Sequence, residues 1–277
     1  MSSAKLTHML RKFNSSILPI GVFDSGVGGI SVLKHIRELM PQENLIYVAD
    51  SKYAPYGNQT PTFIQARSFK IAEFLLNQGV KALVVACNTA TAAAITRLRE
   101  RYPDLLIVGM EPALKPAVAA TKNGVVGVLA TSGTLKSAQF AALLEHYGQG
   151  VEVITQACIG LVECVEKGEL TSSSTRTLLK QFLQPLLEAK ADTIVLGCTH
   201  YPFVRSLIED LVGKDVVLID TGGAVAKHLN NSLQENQLRC VSDKVGSVSF
   251  WSNNESSDTA KVIGSLWGSQ VTVARLL

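Results

Sequence analysis

Short apolar runs alternate with longer amphipathic stretches along most of the chain. The runs rich in β-branched and aliphatic residues predict eight strands: Ile20–Phe23, Leu45–Val48, Ala82–Ala86, Leu105–Val108, Val125–Leu129, Val151–Ile154, Thr193–Leu196 and Val216–Ile219. Apolar residues at helical spacing predict helices over Ile30–Leu39, Phe63–Gln78, Leu135–Glu145, Arg176–Ala189 and Tyr201–Leu211. Strands that alternate with helices predict an α/β fold with mostly parallel sheets flanked by helices.

Two segments of the chain resemble each other. The resemblance covers two pairs of segments. In the first pair, ALVVACNT from Ala82 aligns with TIVLGCTH from Thr193, and in the second, GVFDSG from Gly21 resembles GVLATSG from Gly127. The same strand-and-helix unit therefore occurs twice, which predicts two similar lobes. We expect the active site to lie in the cleft between them.

Composition and charge narrow the choice of partners and of cellular compartment. The 277 residues include 26 basic and 23 acidic side chains, and this small excess does not predict a nucleic-acid partner. The five cysteines lack a Cys-x-x-Cys pair, which favours free thiols in a reducing cytosol over a disulfide framework or a zinc site. No apolar run is long enough to suggest a membrane span or signal peptide, so we expect a cytoplasmic protein.

Polar residues follow several predicted strands at the point where each strand ends. They form five groups: Asp24-Ser25, Asp50-Ser51, Cys87-Asn88-Thr89, Thr131-Ser132 and Cys198-Thr199-His200. In open parallel sheets, ligands bind beyond the carboxyl ends of the strands. Two lobes that face each other would bring Cys87 and Cys198 to opposite sides of one cleft.

A thiol on each wall of a cleft suggests two-base chemistry at a carbon atom. One thiolate removes a proton from one face, the other thiol delivers a proton to the opposite face, and the stereocentre inverts. A free thiol has a pKa near 8.5, so a nearby cation or hydrogen-bond donor must favour the thiolate. His200 is a candidate partner of Cys198, and Asp24 of Cys87. A metal ligand pair at Cys198 and His200 is the less favoured alternative, because no further ligands accompany it.

The other polar side chains are candidates for holding a substrate. Asp24-Ser25 suits an ammonium group, and Asn88, Thr89 and Thr199 suit a carboxylate, although helix capping explains each of them equally well alone. The glycines from Gly26 to Gly29 offer backbone N–H groups to an anion but lack the full dinucleotide fingerprint. Pro55-Tyr56-Gly57 is typical of a turn, and Tyr56 could close a pocket. Cys158, Cys164 and Cys240 are interpreted as structural.

These motifs together resemble the signature segments of glutamate racemases, within the aspartate/glutamate racemase superfamily. The segments that carry the resemblance are GVFDSGVGG from Gly21, PYG from Pro55, VACNT from Val85 and VLGCTHYP from Val195. The resemblance implies cofactor-independent interconversion of L- and D-glutamate, an isomerase reaction that supplies D-glutamate for peptidoglycan and so for cell shape. It also implies a homodimer, and some members of the family carry an N-terminal extension linked to activation by a cell-wall precursor.

The resemblance assigns roles to individual residues. Cys87 and Cys198 are implied to be the acid/base pair, with Asp24 and His200 tuning their thiols. The substrate-binding residues implied are Asp24, Ser25, Tyr56, Gly57, Asn88, Thr89, Thr199 and His200. Glu166 matches a glutamate that assists on the Cys198 side, although Ile159 and Cys164 stand where prolines are common. No metal is implied.

Residues 1–18 are polar and basic with no acidic residue, and we expect them to form an extension. The resemblance implies that the C-terminal stretch completes the first lobe, so we expect residues 19–112 with 223–277 to form the first lobe and residues 113–222 the second. Related racemases or isomerases acting on other substrates remain alternatives. A non-catalytic two-lobed protein that closes on an acidic metabolite is another, but such a protein has no need for cysteine on both walls.

Overall fold

The computed structural model describes residues 16–254 and 258–276, so that residues 1–15 of the predicted extension lie outside it. The strands in this part of the chain are β1 (Ile20–Asp24), β2 (Leu45–Ala49), β3 (Ala82–Val85), β4 (Leu106–Val108), β5 (Val125–Ala130), β6 (Glu152–Ala157), β7 (Thr193–Leu196), β8 (Val217–Ile219), β9 (Val248–Ser252) and β10 (Val273–Arg275).

The helices are α1 (Ile30–Leu39), α2 (Pro61–Asn77), α3 (Asn88–Arg101), α4 (Leu114–Ala120), α5 (Ser132–Leu135), α6 (Ala138–Tyr147), α7 (Leu161–Glu166), α8 (Ser173–Glu188), α9 (Arg205–Val212), α10 (Gly222–Glu235) and α11 (Asp258–Trp267). Short 3₁₀ turns cover Ser51–Tyr53, Tyr56–Asn58 and Tyr201–Val204. None of the helices in the described ranges is long and apolar enough to cross a membrane.

The strands form two sheets, and neighbouring strands in each are parallel. The first sheet has the order β10-β9-β2-β1-β3-β4 and the second has the order β6-β5-β7-β8. Apart from the added β9 and β10, the two orders are the same. The fold class predicted from the sequence, two similar lobes of parallel strands and helices, is therefore confirmed.

The pairing register confirms that the repeat is structural. In the first sheet Gly21 lies opposite Leu83 of β3, and in the second Gly127 lies opposite Ile194 of β7. Leu83 precedes Cys87 by as many residues as Ile194 precedes Cys198. The two cysteines consequently occupy equivalent places beyond the carboxyl ends of equivalent strands.

Packing on both faces of the sheets explains the apolar strands. Every residue of β1, β2 and β3 is buried. One face of the first sheet is covered by α1, whose Ile30, Leu33 and Ile36 repeat at helical spacing and are fully buried. Helix α10 packs in turn against α1, and β9 pairs with β2, so the chain returns to the first sheet after the second is complete. The predicted boundaries between the lobes, at residues 112/113 and 222/223, stay a prediction.

Several elements differ from the sequence prediction in extent. The predicted helix over Leu135–Glu145 is divided into α5 and α6 because Ser137 caps a new helix, its hydroxyl accepting from the Phe140 N–H. Strand β6 runs on to Ala157, beyond the predicted Val151–Ile154. The helix α3 was not among the predicted helices, since its Thr- and Ala-rich sequence has no clear apolar stripe.

Candidate active site

The carboxyl ends of the strands gather the polar groups at one edge of each sheet. Asp24 ends β1 and lies opposite Ala49, the last residue of β2. Asp50 follows Ala49 and so reaches the same edge, where its N–H donates to the Asp24 carbonyl at 3.0 Å. Cys87 follows β3 on the other side of β1. In the second sheet Thr131 follows β5 and Cys198 follows β7 in the same way.

Cys87 begins helix α3 and caps it with its own sulfur. The Sγ accepts the Ala90 N–H at 3.3 Å and lies 3.8 Å from the Ser25 hydroxyl. The residue is 5% exposed. Burial is the main reason that the pKa of Cys87 rises to about 12, and the negative charges of Asp24 and Cys198 add to the rise. A pKa raised in this way favours the protonated thiol of Cys87 at neutral pH.

Cys198 lies beside a buried, charged imidazole. Its Sγ is 3.7 Å from Nδ1 of His200, and the Nε2 on the far side of that ring lies 2.7 Å from the Glu166 carboxylate. Burial by itself would lower the pKa of His200, but bonds to Cys198 and Glu166 and the charge of Asp24 raise it well above its ordinary value. The imidazolium places a positive charge where negative charge on the Cys198 sulfur would be stabilised.

Asp24 connects the two lobes through its carboxylate. Its Oδ1 accepts from the Ser25 hydroxyl and the Gly26 N–H, both at 2.9 Å. Its Oδ2 accepts from the Thr199 hydroxyl at 2.7 Å, across to the second lobe. Burial raises the pKa of Asp24, and the charge of His200 with these hydrogen bonds offsets part of the rise.

Asn88 and Thr89 stand at the start of α3 with different surroundings. The side-chain amide of Asn88 is buried, and neither its Nδ2 nor its Oδ1 has a hydrogen-bond partner among the described residues. Such a group is costly to bury unpaired, which suits it to a ligand. The Thr89 hydroxyl already bonds across the lobes to Thr131 at 2.8 Å and to Thr134 at 3.2 Å. Helix capping, the alternative for both residues, is performed by Cys87.

Gly57 approaches the second lobe by its backbone, while the Tyr56 ring is buried in the core of the first lobe. The Tyr56 hydroxyl donates to the buried carboxylate of Asp50, which also accepts two bonds from Arg67. The backbone of Gly57 packs against Thr131, and a Cβ at this position would lie 2.8 Å from the threonine side chain. A glycine is therefore needed here for the lobes to approach.

Glu166 ends α7 and reaches across to the first lobe. Its Oε1 accepts the Val27 N–H at 2.6 Å. The glycine-rich loop from Gly26 to Gly29 therefore offers a backbone N–H to an anion, and this anion is the Glu166 carboxylate of the same chain. A Cβ at Gly26 would lie 1.8 Å from Oε1, and one at Gly28 would lie 2.3 Å from Nδ1 of His200. These glycines allow the loop to close over the imidazole and its carboxylate.

Some residues near the site were not assigned roles from the sequence. The sequence does mark three of them as candidates, because each belongs to a polar group at the end of a predicted strand: Asp50, Ser51 and Thr131. No sequence pattern marks Arg67 or Asn253, because they reach Asp50 from α2 and from the segment after β9.

The other cysteines differ in their surroundings. Cys158 directly follows β6, which extends to Ala157 but is not a buried strand, and burial raises the pKa of this thiol to about 12. Its interpretation as structural stays a prediction. Cys164 is buried in α7. Cys240 is also buried, and its backbone N–H donates to the carboxylate of Glu43. Within residues 16–254 and 258–276, no group of three or more His, Cys, Asp or Glu side chains is arranged to hold a metal ion.

The fold and the site define a class of protein: two equivalent parallel α/β lobes, each with a cysteine beyond the carboxyl end of an equivalent strand. The family model for Asp/Glu/hydantoin racemases matches residues 20–229. The chain belongs to this racemase family and is an isomerase.

Individual relatives agree over nearly the whole chain. A glutamate racemase of Ectopseudomonas mendocina is 55% identical, over 94% of this chain and 98% of its own. Among solved structures, a glutamate racemase isoform of Bacillus anthracis has a TM-score of 0.84 at 33% identity, covering 94% of this chain and 97% of its own. The Escherichia coli glutamate racemase, solved in complex with L-glutamate and the activator UDP-MurNAc-ala, has a TM-score of 0.81 at 30% identity. The match covers 94% of this chain and 98% of the Escherichia coli chain.

Proposed function

We propose that this protein interconverts L- and D-glutamate without a cofactor, with Cys87 and Cys198 as the two acid/base groups, and that it supplies D-glutamate for peptidoglycan. The family membership and the relatives named glutamate racemases support the substrate. The observation that carries the mechanism is the pair of thiols beyond equivalent strands of two lobes, which the 2.7 Å hydrogen bond from Thr199 to Asp24 joins at the site.

The reaction consists of two proton transfers to and from sulfur. One thiolate takes the α-proton, and the electron pair of the C–H bond passes to the α-carbon and its carboxylate. The opposite thiol then donates its proton to the other face of that carbon and becomes the thiolate. The enzyme ends with one thiol and one thiolate, as it began, so the reverse reaction uses the same groups in exchanged roles.

The Cys87 side depends on the charge of Asp24. In the substrate-free protein that charge helps to keep Cys87 protonated. A substrate ammonium group bound at Asp24 would neutralise the carboxylate and remove this part of the rise in the pKa of Cys87. Substrate binding itself therefore prepares Cys87 to act as a base.

The substrate carboxylate needs donors, because a carbanion at its α-carbon is unstable without them. The unpartnered amide of Asn88 is the best candidate, with Thr89 and Thr199 beside it. Preorganised donors of this kind stabilise developing charge more than water does, since they need not reorient during the reaction.

Regulation and assembly are further parts of the proposal. The Escherichia coli relative solved with the activator UDP-MurNAc-ala supports regulation by a cell-wall precursor. We expect UDP-MurNAc-ala to raise the rate of racemisation by this protein. We also expect a homodimer, which analytical ultracentrifugation would detect.

The central experiment follows the optical activity of D-glutamate by circular dichroism with the purified protein. We expect the signal to decay to zero with the wild type and to persist with Cys87→Ser and with Cys198→Ser. Cys240→Ser is the matched control, because it removes a buried thiol that has no contact with the site. In D₂O the product should carry deuterium at the α-carbon. Ligand binding without loss of ellipticity would instead indicate a binding protein.

A further inference from the structure

The carboxylate of Glu166 is held from both lobes at once. It belongs to α7 of the second lobe, and its Oε1 lies 2.7 Å from Nε2 of His200. The first lobe supplies its other partners: the Val27 N–H donates to Oε1 at 2.6 Å, and the Ser51 hydroxyl donates to Oε2 at 3.0 Å. Glu166 therefore has a complete set of partners only when the lobes are together.

The two oxygens of this carboxylate are fixed by different groups. The terminal torsion of a glutamate side chain is soft, so contacts to Oε1 alone leave the plane of the carboxylate free to turn. Ser51 holds Oε2 and so sets that plane. The plane in turn decides whether Oε1 points at the imidazole, because both contacts of Oε1 depend on its direction.

The position of Ser51 is itself well determined. It follows directly after β2, next to Asp50, whose carboxylate is fully buried and bonded to Arg67 and Asn253. Ser51 also begins the 3₁₀ turn Ser51–Tyr53. The hydroxyl thus belongs to a residue whose chain neighbour is anchored by a buried ion pair.

We propose that Ser51 is a positioning residue for racemisation: its hydroxyl orients the Glu166 carboxylate, which orients the His200 imidazole on Cys198. This inference rests on the proposed two-thiol reaction. It means that a first-lobe residue completes the acid/base group of the second lobe, so closing the lobes assembles the Cys198 side of the site.

The test compares Ser51→Ala with Ser51→Thr by steady-state racemisation of both enantiomers. Removing a hydrogen bond to a charged group should lower kcat roughly tenfold, with a smaller change in KM, because Ser51 does not bind substrate in this account. Ser51→Thr keeps the hydroxyl and should stay within about threefold of the wild type. Ser68→Ala is the matched control, since it removes a buried serine hydroxyl that bonds within α2, and should leave the rate unchanged.

A double-mutant cycle with Glu166→Ala separates positioning from a general structural effect. If Ser51 acts through Glu166, the double variant should be no slower than Glu166→Ala alone. Three results would each overturn the inference. In the first, the rate losses of the two single variants multiply in the double variant. In the others, Glu166→Ala is as fast as the wild type, or Ser51→Ala has the wild-type kcat. If Ser51→Ala does not fold, Ser51→Thr and Ser51→Val have nearly the same shape and differ in the hydroxyl, so their rates make the same comparison. A wild-type protein that does not racemise glutamate would instead refute the proposed function.

Discussion

Replacing Arg67 by methionine should destabilise the protein strongly, because it leaves a buried carboxylate without its cation. The Arg67 guanidinium bonds to Asp50 through Nε at 2.9 Å and through Nη2 at 2.5 Å. The Asp50 side chain is fully buried and that of Arg67 is 13% exposed. Methionine fills a similar volume but offers no charge and no donor.

The size of the loss follows from what remains around Asp50. Removing one partner of a buried ion pair costs about 3–5 kcal/mol. Tyr56 and Asn253 still donate to the carboxylate, which favours the lower end of that range. A loss of 1 kcal/mol lowers the Tm by roughly 2–4 °C in chains of 150–250 residues, so a loss of about 3 kcal/mol should lower it by about 6–12 °C.

Thermal unfolding followed by circular dichroism measures this fall, and Arg97→Met is its control. Arg97 pairs with Glu100 on an exposed helix face, with side chains 67% and 58% exposed, so its loss should change stability by less than about 1 kcal/mol. Adding Asp50→Asn to Arg67→Met removes the uncompensated charge and should restore part of the Tm. Equal Tm values for the Arg67 and Arg97 variants would refute the reasoning.

Two further predictions concern the ionisation of the site. Because the folded pKa of His200 is raised, its contribution to stability is complete below the unfolded pKa near 6.5 and is lost as the pH rises through the folded value. The Tm difference between wild type and His200→Gln should therefore shrink as the pH is raised from 6 towards alkaline values, and a difference that grows would contradict it. Since the pKa of Cys87 is about 12, this thiol should react with iodoacetamide at pH 8 roughly three orders of magnitude more slowly than free cysteine. Mass spectrometry of the labelled peptide measures that rate, and rapid labelling of Cys87 without substrate would exclude the protonated state.

The strand-end positions explain why much of the site was predictable. A parallel strand buried on both faces is a distinct apolar run, and the polar residue after it marks the edge where ligands bind. Asp24, Cys87 and Cys198 all follow such runs, and the repeat matches the two cysteines with each other. Both sheets have the same strand order apart from β9 and β10. For this reason the match between the two cysteine segments also predicted that the two lobes are similar.

Contacts between distant segments were not predictable in the same way. Asn253 is 203 residues from Asp50 along the chain, and no local pattern relates them. Strand β10 has only three residues, and β9 has a mixed sequence, VSFWS, with neither a long apolar run nor strict alternation. Tertiary packing, which outweighs weak local preference, places β9 beside β2 and β10 beside β9.

The residues that close the lobes are the same residues that we expect to hold the substrate and its acid/base groups. Thr199 bonds to Asp24, Thr89 to Thr131 and Ser51 to Glu166. The thiols of Cys87 and Cys198 are less than 10% exposed. Substrate must therefore enter a form in which some of these hydrogen bonds are broken. A hydrogen bond contributes about 0.5–1.5 kcal/mol net, or about 1.5–3 kcal/mol when one partner is charged, so each of these bonds that breaks adds to the free energy of opening. A ligand whose ammonium and carboxylate groups match Asp24 and Asn88 favours closure again, and closure brings Glu166 and His200 into place. In the proposed mechanism, binding the correct substrate would assemble the groups that act on it, which would tie specificity and catalysis to one movement.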